Sequence, residues 1–273
     1  MHTKYTVLMS VYYKEKPEFL SISIESMLRQ TIFPDEFLIV EDGKLTDDLY
    51  SVIDNYVQKY PDLFTIIKLP KNGGLGPALK IGVEKSKNEL IARMDSDDFS
   101  VPDRCERELK VFNQNPNMDI VGSFEAEFIE NKNNVVAVHK VPEKNKDIAT
   151  FMRRRCAILH PTVMYRKSAV IKSGNYHSVP LYEDYDLFSR MVLEHKVESY
   201  NIQENLYYIR TSPDFYKRRG GIKYAKTALD FKWRLYKKGY MSLTDFFISG
   251  IGQAVVCVLP NSVRKIIYLK VLR

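Results

Sequence analysis

The chain has 273 residues, 45% apolar and 27% charged, a balance that excludes a disordered polymer and allows one large domain, or a domain with an appendage. Its three cysteines, Cys105, Cys156 and Cys257, lie far apart with no CxxC pair, which excludes a disulfide framework and a cysteine zinc site and fits a reducing compartment. The net charge of +7 is uneven, for residues 210–273 hold 14 Lys+Arg against 3 Asp+Glu while residues 1–209 hold 27 against 31.

The first half alternates strand and helix signals. Residues 5–12 (YTVLMSVY) read as a buried strand, and 17–30 as a helix with Pro17 at its first turn. No signal peptide is expected from MHTKYTVLMSVYY, whose apolar run is short and soon meets Lys14, Glu15 and Lys16. Strand 36–42 (EFLIVED) precedes a helix at 46–60 capped by Thr46, and strand 64–70 is stopped by Pro70. A short helix at 76–87 follows KNGG, then strand 89–95 (ELIARMD) and helix 102–115. This alternation predicts an α/β fold, a Rossmann-like mostly parallel central sheet with helices on both faces. In such sheets ligands bind beyond the carboxyl ends of the strands. Those ends carry Ser10 and Tyr12, then Glu41 and Asp42, then Asp95, Asp97 and Asp98.

The second half is less regular. Residues 135–141 read as an edge strand, 158–170 as a strand entering a helix, and 183–195 (EDYDLFSRMVLEH) as a helix begun by acids. Composition shifts near residue 210, where the basic region begins.

Three acids within DSDD (95–98) require explanation. Carboxylates at i and i+2 in a tight turn can share one divalent ion, since Mg²⁺ and Mn²⁺ prefer carboxylate oxygen and fill their shells with substrate phosphates. A solvated acidic loop is the plainer alternative. An EF-hand is excluded by Phe99 and Ser100 where a ligand and a glycine belong. KNGGLGPALKIG (71–82) lacks the GK[ST] ending of a Walker loop and has Leu79 where a dinucleotide fingerprint needs its third glycine.

In order along the chain, VLMSVYYKEKPEFLSISIESMLRQT, FLIVEDG, KNGGLGPALKIGVEKSKNELIARMDSDD and HPTVMYRKSAVIKSGNYHSVPLYEDYDLFSRM resemble the family 2 glycosyltransferases. These are inverting enzymes of the GT-A fold that use nucleotide-diphospho-sugars. The resemblance covers residues 5 to about 195 and implies a role for each matching position. Ser10 and Tyr12 would hold the nucleotide base, and Asp42 the pyrimidine, with Glu41 where the family usually has a further aspartate. Lys71 and Asn72 would run past base and ribose. Asp95 would serve the ribose and the metal edge, and Asp97 would be the metal ligand. Asp184 would be the catalytic base, with Glu183 beside it near the acceptor. His160 is kept as a contact on the acceptor or phosphate side, and Arg218 and Arg219 as cations that close over the diphosphate.

The resemblance, with the composition shift near residue 210 as its boundary, implies a catalytic domain at 1–209, with a nucleotide-sugar half at 1–100 and an acceptor half at 101–209. It also implies a divalent Mn²⁺ or Mg²⁺, a UDP-sugar donor, and a lipid-linked glycan acceptor of capsule, O-antigen or exopolysaccharide synthesis. The tail, 210–273, mixes cations with aromatics and contains an uncharged run from Phe246 to Asn261, too short to span a membrane comfortably. It is expected to be a helical, basic and apolar appendage that associates with an anionic membrane, placing the protein peripherally on the cytoplasmic face. Helices packed on the catalytic domain are the competing expectation for the tail. Two other functions are weighed. A sugar-nucleotide nucleotidyltransferase would need a glycine-rich loop after the first strand, and SVYYKEKPEFL has none. A nucleic-acid-binding module would use the basic aromatic tail, but the acidic main body argues against it, and no nucleic-acid partner is expected.

Overall fold

Four apolar runs make the parallel half of the sheet. β1 (Tyr5–Val11), β2 (Glu36–Glu41), β3 (Phe64–Lys68) and β4 (Leu90–Met94) pair in the order β3-β2-β1-β4. Side chains alternate between faces along each strand. Leu8, Leu38, Val40 and Ile91 therefore join one core cluster, while Val7, Met9, Phe37, Ile39 and Ala92 join the other. Both faces are covered by helices, which is why β2 and β4 are buried throughout.

The computed structural model describes residues 3–130, 133–211, 220–260, 263, 264 and 267. Helices α1 (Pro17–Leu28), α2 (Asp47–Lys59), α3 (Leu75–Lys85) and α4 (Arg104–Gln114) fall where the periodicity places them. Thr46 caps α2 through its side chain, which accepts from the Leu49 amide. α3 lies against β1 and β2 through Gly82, where a Cβ would stand 2.3 Å from a Leu8 methyl.

Beyond β4 the sheet becomes mixed. Its order continues β4-β8-β6-β9-β5, with β7 on the outer edge of β6. The strands are β5 (Phe99–Ser100), β6 (Met118–Phe128), β7 (Val135–His139), β8 (Met164–Arg166) and β9 (Glu198–Arg210). β6 and β9 run parallel, whereas β4–β8, β6–β8, β6–β7 and β5–β9 are antiparallel. The half also contains α5 (Asn145–Met152), α6 (Lys167–Lys172) and α7 (Glu183–Ser189), which runs into a π-helical turn, Arg190–Glu194.

The tail forms helices that pack on α7. Ile222–Lys237 is the first, followed by a helical run of Leu243–Asp245, a π-helical stretch Phe246–Ile251, and Gly252–Val258. Phe231 stacks on Tyr182 with centroids 4.4 Å apart and planes at 7°. A capping box of Ser242 and Asp245 starts the second run.

Candidate active site

The carboxyl ends of β1, β2 and β4 open on one hollow of about 780 Å³. Ser10, Tyr12, Asp42, Asn72, Asp95 and Asp97 line it together, although they come from well-separated segments of the sequence. The turns make this possible. Gly43 follows β2 at φ +85°, and a Cβ there would lie 2.6 Å from the Asn72 amide nitrogen, so the β2 and β3 loops close tightly.

Asp42 is buried beneath the glycines before α3. Its Oδ1 accepts from the Gly73 amide at 2.7 Å and its Oδ2 from the Gly74 amide at 2.9 Å. Asn72 Nδ2 donates to the Asp42 carbonyl at 3.2 Å. Asp42 thus shapes the floor of the hollow as well as lining it. Tyr12 is 43% exposed at the rim, where its ring offers a face on which a base can stack. Lys71 is exposed and lies outside the lining.

The acids of DSDD have three different environments. Asp95 is gripped by the buried Arg93 guanidinium, with Nη1 donating to Oδ2 at 2.9 Å and Nη2 to Oδ1. The Asp95 amide donates to the Tyr207 hydroxyl at 3.1 Å. Arg93 thereby offsets the charge of Asp95, whereas Asp97 is crowded by further acids of the hollow. Burial, then the charges of Asp95 and Glu15, push the Asp97 carboxyl up to about 7. Asp98 is buried, and its Oδ1 accepts from the Arg210 amide at 2.8 Å. Burial, then Asp97 and Asp95, raise it well above the carboxylate range. Asp98 therefore fastens the end of β9 to the acid loop.

Sequence reasoning missed several residues of this hollow. Lys14, Glu15 and Lys16 line it from the loop after β1, and Arg210 from the end of β9. Ser96 Oγ donates to Glu15 Oε2 at 2.6 Å, which fixes that carboxylate near Asp97. Arg210 Nε donates to the Asp97 carbonyl at 3.0 Å, and its guanidinium lies 3.9 Å from the Phe19 ring centroid. The only sequence signal for Arg210 was the composition shift at that position, which pointed to a boundary. The residue instead lines the hollow.

A second hollow of about 240 Å³ adjoins the first and shares Gly74 and Leu75 with it. Pro77, Val179, Leu181 and Glu183 line it. Burial raises the pKa of Glu183, and Asp184 adds to the effect. Asp184 Oδ1 accepts from the Tyr185 amide at 2.7 Å at the start of α7, outside the lining of both hollows. His160 is also outside them. It is buried in a hydrogen bond of 2.8 Å with the Tyr176 hydroxyl, and burial together with Arg93 lowers its pKa well below the usual value. That environment places it in the core, away from both hollows. Arg218 and Arg219 lie outside the described residues.

Among the described residues, no three His, Cys, Asp or Glu side chains are placed to hold a metal ion on their own. The hollow does supply hard carboxylate oxygen, with Asp97 flanked by Asp95 and Glu15. That donor set suits a cation that arrives with further oxygen ligands on a substrate.

Comparisons with known proteins give the family and the fold. The family described as glycosyl transferase family 2 matches residues 6–174. The chain is 38% identical over 272 residues to an Escherichia coli UDP-Gal:alpha-D-GlcNAc-diphosphoundecaprenol beta-1,3-galactosyltransferase, covering 99% of this chain and 97% of that protein. It is 32% identical to the amylovoran biosynthesis glycosyltransferase AmsE of Erwinia amylovora, over 97% of this chain and 98% of the other. Solved structures share the fold. A mannosyltransferase of Pyrobaculum calidifontis in complex with GDP-Man and Mn²⁺ superposes with a TM-score of 0.63 at 14% identity, covering 96% of this chain and 78% of that one. S. aureus TarS 1-349 in complex with UDP does so with a TM-score of 0.58 at 18% identity, covering 94% and 81%. The sheet is that of the GT-A glycosyltransferases, and the chain belongs to glycosyl transferase family 2.

Proposed function

We propose that the protein transfers a sugar, with inversion, from a UDP-sugar to a lipid-linked diphosphate acceptor in surface-polysaccharide assembly. The observation that carries this reading is the convergence of Tyr12, Asp42, Asn72, Asp95 and Asp97 on one hollow. Similarity to a galactosyltransferase whose named acceptor is a diphosphoundecaprenol supports the acceptor class. In this reading Tyr12 stacks on the uracil, while Asp42 and Asn72 border the base and ribose. Asp95, held by Arg93, faces the ribose, and Asp97 would hold Mn²⁺ or Mg²⁺. When bound, that ion neutralises the charge that builds on the leaving diphosphate.

The chain's own residues then have defined tasks. Arg210, anchored by Asp98, adds positive charge at the diphosphate end of the hollow. Glu183 on the wall of the second hollow orients the acceptor hydroxyl, and Asp184 beside it at the head of α7 takes its proton. Attack from the face opposite the diphosphate gives inversion at the anomeric carbon. UDP release from UDP-sugars in the presence of Mn²⁺ and a lipid diphosphate acceptor tests this. Asp97→Ala and Asp184→Asn are expected to lose turnover by ~10²–10⁴-fold with the fold retained. Wild-type turnover in either variant removes the role assigned to that residue.

A further inference from the structure

The helical run from Phe246 to Val258 contains no charged residue, yet it is not buried. A helix that is apolar all round belongs in a protein core or in lipid. Here one side, carrying Gly250 and Cys257, is buried, with the run packed on the first tail helix. The other side presents Leu243, Phe247, Ile248, Ile251, Val255 and Val258 to solvent. Phe247, Ile248, Val255 and Val258 are 53%, 54%, 51% and 56% exposed. At helical spacing these six residues fall within an arc of ~140° along ~22 Å of axis, a continuous ridge rather than scattered surface residues.

Charge decides what covers the ridge. The first tail helix, packed beside it, carries exposed Lys223, Lys226, Arg234, Lys237 and Lys238. Only three acids fall within residues 210–273. Asp245 is paired with Arg154 at 2.6 Å, Asp230 is exposed, and Asp214 is outside the described residues. A second copy would bring the same basic surface against itself, whereas an anionic bilayer complements both the cations and the apolar row. Among the described residues no helix is long and apolar enough to cross a membrane, so the ridge would lie along the interface.

We propose that the face formed by Leu243, Phe247, Ile248, Ile251, Val255 and Val258, bordered by the cations of helix Ile222–Lys237, docks the protein on an anionic lipid bilayer. Contacts within the protein tie this face to the site. Gln253 Nε2 donates to the Tyr182 hydroxyl at 2.9 Å, directly before Glu183 and Asp184. Lys232 Nζ donates to the Tyr185 hydroxyl at 3.2 Å. A docked face therefore holds α7 at a fixed height above the headgroups, within reach of an acceptor whose lipid lies in the same bilayer.

The test is flotation of the full-length protein with phosphatidylcholine vesicles, with and without phosphatidylglycerol, in the absence of any sugar donor. This keeps the result independent of the transfer reaction. Capture is expected only with phosphatidylglycerol, weakening as salt is raised. Phe247→Asp/Ile251→Asp should reduce it by about tenfold or more at an unchanged melting temperature. Lys226→Glu/Lys237→Glu, which leaves the ridge intact, should also weaken it. Failure of the wild type to float, or equal capture of the ridge variant, overturns the proposal. So does a wild-type dimer in solution that the ridge variant converts to monomer, since the covering partner would then be a second copy.

Discussion

Two cations, the buried Arg93 and the half-buried Arg210, divide the acids at the end of β4 between them. Arg93 is buried beneath the site and donates to both oxygens of Asp95. Arg93→Met would leave the partly exposed Asp95 without this partner beside Asp97 and Asp98, and is expected to destabilise the protein by ~1–3 kcal/mol, read from urea denaturation midpoints. Arg210 acts at the other edge of the loop. Arg210→Ala should raise the apparent KM for the donor about tenfold or more, with little loss of melting temperature because its amide bond to Asp98 remains. At this scale the acids were legible in the sequence and the cations were not. Three carboxylates in four residues stand out in any strand end, but Arg93 reads as one polar interruption of a buried strand. Arg210 comes from 113 residues later in the chain than Asp97, to whose carbonyl it donates. Only folding reveals such a pairing.

Among the elements, α7 is the one that the tail supports. Phe231 stacks on Tyr182 and packs against Tyr185, the residues on either side of Glu183 and Asp184. Phe231→Ala should cost ~3–5 kcal/mol of stability and lower turnover more than it changes donor affinity, which steady-state kinetics separates. Lys232, one residue on, is buried, and burial brings its ammonium pKa down to about 7. In the unfolded chain a lysine titrates near ~10.4, so between these values the unfolded state binds more protons than the folded one. Stability should therefore rise with pH from about 7 toward 10, by at most ~1.4 kcal/mol per pH unit from this group. Lys232→Met should flatten that rise, as thermal melts across the interval would show. The alternating first half was readable because its strands are continuous apolar runs. β6 and β9 were not, since β6 carries Asp119, Glu125 and Glu127 and β9 is rich in Asn, Gln and Glu. Those acids survive in the sheet through pairing, as where His139 lies 3.0 Å from Glu125 and 3.1 Å from Glu127.

For the whole molecule, the acid-lined hollow on the parallel half of the sheet adjoins a second hollow bounded by α7, and a basic apolar tail packs against α7. The parallel half followed from periodicity, and the order of motifs gave the family. The way the tail joins the site was hidden, because it depends on Phe231, Lys232 and Gln253 meeting Tyr182 and Tyr185 across some 50–70 residues of sequence. In the proposed reaction, donor use depends on the Asp97 carboxylate. The most direct measurement of that dependence is UDP release from a UDP-sugar by wild type and Asp97→Ala, with Mn²⁺, a lipid diphosphate acceptor and equal folded protein. Steady release is expected from the wild type and a loss of ~10²-fold or more in the variant; equal rates in the two proteins would overturn the role of Asp97.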